Sequence, residues 1–100
     1  MINVLLICSQ GASTSMMCKK IKQEAEKNGV EMNVKAVAIA VANDYILDSN
    51  IILLGPQIRY MKQKVQDASG SIPVLDIDMQ AYGMMDGSKV YKQIMENLKV

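Results

Sequence analysis

The sequence predicts an α/β fold, an open four-stranded parallel sheet in the order 2-1-3-4 with helices on both faces. Three observations carry this expectation. Short apolar runs alternate with amphipathic runs along the whole chain, the pattern of strands separated by covering helices. One hundred residues, half of them apolar, suffice for one domain (residues 1–100) and not for two. A turn-rich stretch at residues 8–15 joins the first apolar run to the first amphipathic one, the anatomy of a strand–loop–helix unit.

Ile2 to Ile7 is apolar and rich in branched residues, and reads as a buried strand. Met16 to Asn28 carries Met17, Cys18, Ile21 and Ala25 at helical spacing, with Lys19, Lys20 and Lys22 on a solvated face. Gly29 is placed to end that helix in a left-handed cap. Glu31 to Val37 alternates polar and apolar, as an edge strand does. Ala38 to Ala42 reads as a turn into a short helix ending near Tyr45. Ile51 to Leu54 is a second buried strand, closed by Gly55-Pro56, and Gln57 to Ala68 repeats Ile58, Met61 and Val65 as one helix. Pro73 to Ile77 is the fourth strand, with proline tolerated at its start. Asp86-Gly87-Ser88 precedes a last helix, Lys89 to Leu98. Right-handed crossovers between parallel strands give an open sheet, and ligands sit beyond the strands' carboxyl ends where strand order reverses. In the order 2-1-3-4 that point is the end of strand 1, where Cys8 lies.

Residues Cys8, Ser9, Gln10, Gly11, Ala12, Ser13, Thr14 and Ser15 have the make-up of a phosphatase-like phosphate-binding loop headed by a nucleophile. A helix amino end offers unpaired N–H groups and a positive dipole to an anion. Gly11 allows the backbone to curl so that amides converge, and the hydroxyls of Ser13, Thr14 and Ser15 can cap the helix or donate to phosphate oxygens. The same potential favours a thiolate at Cys8. A buried strand cysteine before an ordinary Ser/Gly turn is the competing reading. Tyrosine-phosphatase-type loops place an arginine six residues after the cysteine. Here that position is Thr14, and the only arginine is Arg59. Such a site takes up phosphate but stabilises its hydrolysis poorly, which suits a relay better than a hydrolase.

Composition excludes several classes. A net charge of +1 and four tyrosines as the only aromatics argue against nucleic-acid binding. With no histidine, a histidine phosphocarrier, a Cys-His dyad and histidine-ligated zinc are ruled out, and the two cysteines form no metal set, so neither metal nor cofactor is expected. Two cysteines without a secretory signal indicate a reducing cytoplasm, and the longest apolar run, Ala36 to Ala42, is too short to span a bilayer.

Cys8-Ser9, Gly11 and Ser13-Thr14-Ser15, then Leu53-Leu54-Gly55-Pro56-Gln57-Ile58 with Tyr60-Met61, then Tyr82-Gly83 and Asp86-Gly87 form a set of blocks in a fixed order. In these blocks the chain resembles the IIB components of the lactose/cellobiose/chitobiose family of the bacterial phosphoenolpyruvate-dependent sugar phosphotransferase system (PTS). The resemblance implies a cytoplasmic phosphocarrier, a protein-phosphocysteine–sugar phosphotransferase. In it, Cys8 takes a phosphoryl group from a phosphohistidine of the IIA component. It passes the group to a β-linked disaccharide (chitobiose, cellobiose or lactose type) during import through the membrane IIC component. By the same resemblance Ser9 to Ser15 form the cradle, and the chain acts as a monomer that reaches the membrane only through IIC. Ala36 to Ala42 and Arg59 depart from the family pattern and leave the sugar and partner choice open.

Secondary positions each carry two readings. Cys18 is a core thiol or a resolving cysteine. Asp76 and Asp78, at the end of strand 4, are turn-capping residues or a general acid of the kind a low-molecular-weight tyrosine phosphatase or arsenate-reductase-like enzyme would need. Gln57 touches the loop or caps a helix, and Tyr82 packs near Cys8 or covers the sheet edge. Of Met16 and Met17, one is core and the other an adaptable contact for partners. A non-catalytic rival is a regulatory anion-binding domain in which Cys8 is only structural.

Overall fold

A strand apolar on both faces must lie in the middle of a sheet covered on both sides. Val4 to Cys8 contains no polar residue, and each of these five side chains is at most 3% exposed. The strand β1 (Ile2–Cys8) is accordingly central. It pairs in parallel with β2 (Met32–Ala38) on one side and β3 (Ile51–Leu54) on the other, and β4 (Val74–Asp76) adds beyond β3. The order is β2-β1-β3-β4, as the sequence predicts. The structure is a computed structural model; it describes the backbone of residues 1–9 and 12–98, and the side chains of residues 1–9 and 15–98.

Side chains alternate across the pleat, so each strand feeds two cores. Val4, Leu6, Ile51 and Leu53 pack under α1 (Ala12–Lys27) and α4 (Gly87–Asn97), against Met17, Ile21, Ala25, Val90 and Ile94. Leu5, Ile7, Ile52 and Leu54 face the opposite layer, with Val37, Ala42, Ile46, Ile58 and Val65. That layer consists of two 3-10 segments, Ile39–Asp44 and Ile46–Asp48, a third at Pro56–Met61, and α2 (Lys62–Ser69). Among the described residues no helix is long and apolar enough to cross a membrane.

Several boundaries move from the expected ones for identifiable reasons. Helix α1 opens at Ala12, ahead of Met16, because its first turn is built of small and polar residues outside the apolar stripe. Gly29 follows the helix at φ 71°, the left-handed exit that glycine permits. The apolar run Ala36 to Ala42 divides between the end of β2 and a 3-10 segment that buries Ala42 and leaves Val41 exposed. The single helix expected over Gln57 to Ala68 is broken at Ile58, whose non-helical angles (φ −122°, ψ 20°) drop its side chain into the core. A five-residue helix, α3 (Met79–Gly83), was not foreseen; Asp78 caps it by accepting from the Ala81 N–H at 3.3 Å.

Asp86 caps α4, accepting from the Lys89 N–H at 3.1 Å and the Ser88 hydroxyl at 2.9 Å. The Ser88 hydroxyl foremost, then the Lys89 N–H, holds its carboxyl below the ordinary value. Gly87, next in line, is where α4 meets α1. A Cβ there would stand 2.6 Å from Lys20 Cβ and 2.7 Å from the Lys20 backbone carbonyl carbon, so the helices touch through bare backbone. Gly87→Ala should therefore lower the unfolding free energy by about 1–3 kcal/mol, as overpacking of a tight contact does. Urea denaturation checks this, and an unchanged midpoint would contradict the close approach.

Candidate functional site

The carboxyl ends of three strands are knitted side by side. The Gly55 N–H donates to the Ile7 carbonyl at 2.8 Å, and the Ile77 N–H donates to the Leu54 carbonyl at 3.0 Å. Cys8 is the last residue of β1 and stands opposite Ala38 in register. Its thiol is buried and donates to the Val37 carbonyl at 3.8 Å, a long contact for a weak donor. Ser9 follows as an exposed bend, and α1 begins at Ala12. The cysteine thus ends the central strand at the point where strand order reverses, four positions before a 16-residue helix. The first-turn N–H groups of that helix have no intrahelical partner, and its dipole is positive at this end. Gln10 and Gly11, and the side chains of Ala12, Ser13 and Thr14, lie outside the described residues. Ser15 is exposed in the first turn of α1.

The other sequence-predicted positions separate. Gln57 and Cys8 both border Gly55: a Cβ added there would stand 3.1 Å from Gln57 Oε1 and 3.5 Å from Cys8 Cβ. Asp78 has its carboxylate engaged in capping α3 and in an ion pair with Lys89 at 3.5 Å. Asp76 pairs with Lys62 at 3.7 Å, while its Oδ1 is buried with no hydrogen-bond partner. Tyr82 is half-buried and packs against the α1/α4 core. Arg59 is exposed and lines a shallow pocket with Pro56, Asp76, Ile77, Asp78 and Met79. Met17 is core and Met16 is half exposed at the start of α1. Among the described residues no group of three metal-ligating side chains comes together.

Two positions were not singled out from the sequence. Gly55 supplies space between Cys8 and Gln57, a role that only three-dimensional proximity reveals. Gln93 on α4 ties down the exit of β4, donating from Nε2 to the Asp76 carbonyl at 2.8 Å and accepting from the Asp78 N–H at 3.2 Å. A polar residue on an amphipathic helix gives no sequence signal of such a staple.

Cys18 lies on the buried face of α1 with Met17 and Ile21. Burial pushes its thiol from an ordinary 9.0 up to about 12, with the neighbouring Cys8 adding to the shift. It is a core thiol that stays protonated at neutral pH. Because the folded state holds this proton more tightly than the unfolded one, its contribution to stability is complete below about pH 9 and is lost as pH rises to about 12. Unfolding free energies measured across that window should fall for the native chain and fall less steeply for Cys18→Ala; parallel curves would refute the assignment.

Comparison with known proteins agrees with this geometry. The family model described as "PTS system, Lactose/Cellobiose specific IIB subunit" matches residues 3–93. The oligo-beta-mannoside-specific EIIB component of a PTS from Bacillus subtilis (strain 168) is 38% identical over 97 residues, covering 95% of this chain and 94% of the relative. The cellobiose-specific EIIB component from Lactococcus lactis subsp. lactis (strain IL1403) is 33% identical, covering 87% of each. In fold, the lactose-specific IIB component domain from Streptococcus pneumoniae superimposes with a TM-score of 0.85 over 98% of both chains, at 18% identity.

Proposed function

The chain belongs to the lactose/cellobiose-specific IIB family of the sugar phosphotransferase system, and we propose that Cys8 is the residue that carries its phosphoryl group. In the first step the Cys8 thiolate attacks a phosphohistidine of the IIA component in line; an S–P bond forms as the N–P bond breaks. In the second, a sugar hydroxyl oxygen displaces the sulfur at the IIC component; the O–P bond forms as the S–P bond breaks, the hydroxyl proton passes to solvent, and the thiolate is returned. Ser9, Gln10, Gly11, Ala12, Ser13, Thr14 and Ser15 cradle the equatorial oxygens through backbone N–H groups and hydroxyls.

The observation that carries this reading is the position of Cys8: last residue of the central strand, at the order reversal, immediately before the amino end of α1. An anion attached there meets the helix dipole without any side-chain cation. The absence of arginine from residues 9–15 favours a relay over a phosphatase, because hydrolysis needs the charge of its transition state clamped. Asp76 and Asp78, the acids a phosphatase reading requires, are held by Lys62 and Lys89.

The substrate of this reading is a β-linked disaccharide, the class that the cellobiose-specific relative suggests. The chain acts as a monomer in the cytoplasm, docking on IIA and IIC in turn through small transient interfaces, with the half-exposed Met16 as an adaptable contact beside the site. Incubation with phosphoenolpyruvate, the general PTS proteins and the IIA partner should add one phosphate, read by intact mass and mapped to Cys8. Cys8→Ser should abolish it. An unmodified Cys8 with an active IIA would sink the proposal, and turnover of p-nitrophenyl phosphate would then favour a phosphatase.

A further inference from the structure

An uncommitted amide stands beside the nucleophile. Gly55 is buried, yet its backbone angles (φ −63°, ψ 152°) are ones that any residue adopts. Conformation does not demand glycine here; what the missing side chain leaves is room that the end of a neighbouring side chain takes up. A Cβ at position 55 would lie 3.1 Å from Gln57 Oε1, 3.5 Å from Cys8 Cβ and 3.5 Å from the Ile7 carbonyl oxygen. The bare glycine therefore lets the Gln57 carboxamide fold back over the end of β1. Gln57 is exposed, and among the described residues its carboxamide has no hydrogen-bond partner. A terminal amide that is neither buried for packing nor bonded to the fold, but seated against the residue that touches Cys8, has its two N–H donors free for a ligand.

The ligand follows from what Cys8 would carry. A phosphocysteine presents three non-bridging oxygens with close to two negative charges at neutral pH, and these need several donors. The loop offers neutral donors only, and the one guanidinium of the chain is differently placed. Arg59 shares its pocket with Asp76 and Asp78, whose carboxylates repel a phosphoryl group. Gln57 is a side chain outside residues 9–15 whose polar end lies beside Gly55, next to Cys8.

We infer that Gln57 is a phosphoryl-binding residue, its carboxamide NH2 donating to a non-bridging oxygen of the group held on Cys8. This rests on Cys8 being the phosphoryl carrier. A half-turn of the amide exchanges Oε1 for Nε2 at the contact, so no backbone movement is required. No bond to Gln57 forms or breaks; it stays neutral and adds a donor without adding charge.

The test uses the full chain with phosphoenolpyruvate, the general PTS proteins and IIA, following the mass of the Cys8 adduct and the side-chain amide resonances of 15N-glutamine-labelled protein. Phosphorylation should shift the Gln57 amide resonance. Gln57→Ala should slow uptake of the phosphoryl group about tenfold or more, the effect of removing one donor to a charged group. Gln57→Glu should slow it further, with partial recovery in high salt, since a carboxylate then faces the phosphoryl charge. Gly55→Ala, whose methyl displaces the exposed carboxamide, should match Gln57→Ala, and the double variant should be no slower than either single one. An unmoved resonance, or native rates in both Gln57 variants with phosphate present on Cys8, would overturn the inference and leave Cys8 as the carrier. Absence of phosphate from Cys8 in the unsubstituted chain would overturn both.

Discussion

Burial of β1 on both faces is the constraint on which the rest of the molecule depends. Five consecutive side chains from Val4 to Cys8 leave water almost completely. The four aliphatic ones contribute about 1.5–3 kcal/mol each. Ile51 to Leu54 of β3 is buried as completely, so β1 and β3 take the two inner places of the sheet and the helical segments cover its two faces. Parallel neighbours on both sides require right-handed crossovers, one passing above the sheet through α1 and the other below it. The reversal of strand order beside β1 follows, and Cys8 stands at its carboxyl end because it is the residue at which the apolar run stops.

The same constraint explains why the fold could be read from the sequence and where the reading failed. Strands β1 and β3 are recognisable because burial on both faces leaves uninterrupted apolar runs, and β2 because an edge strand alternates. The helix boundaries that moved are those set by tertiary contacts. Ile58 leaves helical angles to fill the core above Ile52 and Leu54, which a periodicity count cannot anticipate. Helix α3 exists because Asp78 caps it locally and Gln93, 15 positions away, anchors the Asp78 backbone. At the site, Cys8 and its loop were legible because their chemistry is local. Gly55 was legible only as a turn residue, since the contact that gives it meaning lies across the sheet, at Cys8.

Two buried cysteines of one chain stand in different surroundings. Cys18 sits inside the α1/α4 core, where desolvation raises its thiol to about 12 and keeps it neutral. Cys8 is as thoroughly buried by area, but it stands at the end of a strand where the sheet's covering layer gives way to the amino end of a helix. Burial alone would make both inert. They differ in place: Cys8 ends β1 four positions before α1 begins, while Cys18 lies in the second turn of that helix, among apolar side chains.

A carrier of the proposed kind has to hold its phosphoryl group without trapping it. Each 1.4 kcal/mol of extra stabilisation on the carrier shifts the exchange with either partner about tenfold. A bidentate arginine, as in a phosphatase loop, would contribute more than that and would also stabilise attack by water. Neutral donors spread over loop amides, hydroxyls and one carboxamide give a shallower well whose depth is set by several weak terms. The single arginine of the chain accordingly stands apart, on an exposed 3-10 segment among carboxylates, and Asp76 and Asp78 are each paired with a lysine. On the proposed reading, segregating charge from the strand end would keep the phosphoryl affinity of Cys8 intermediate, the condition for accepting from one partner and giving to another.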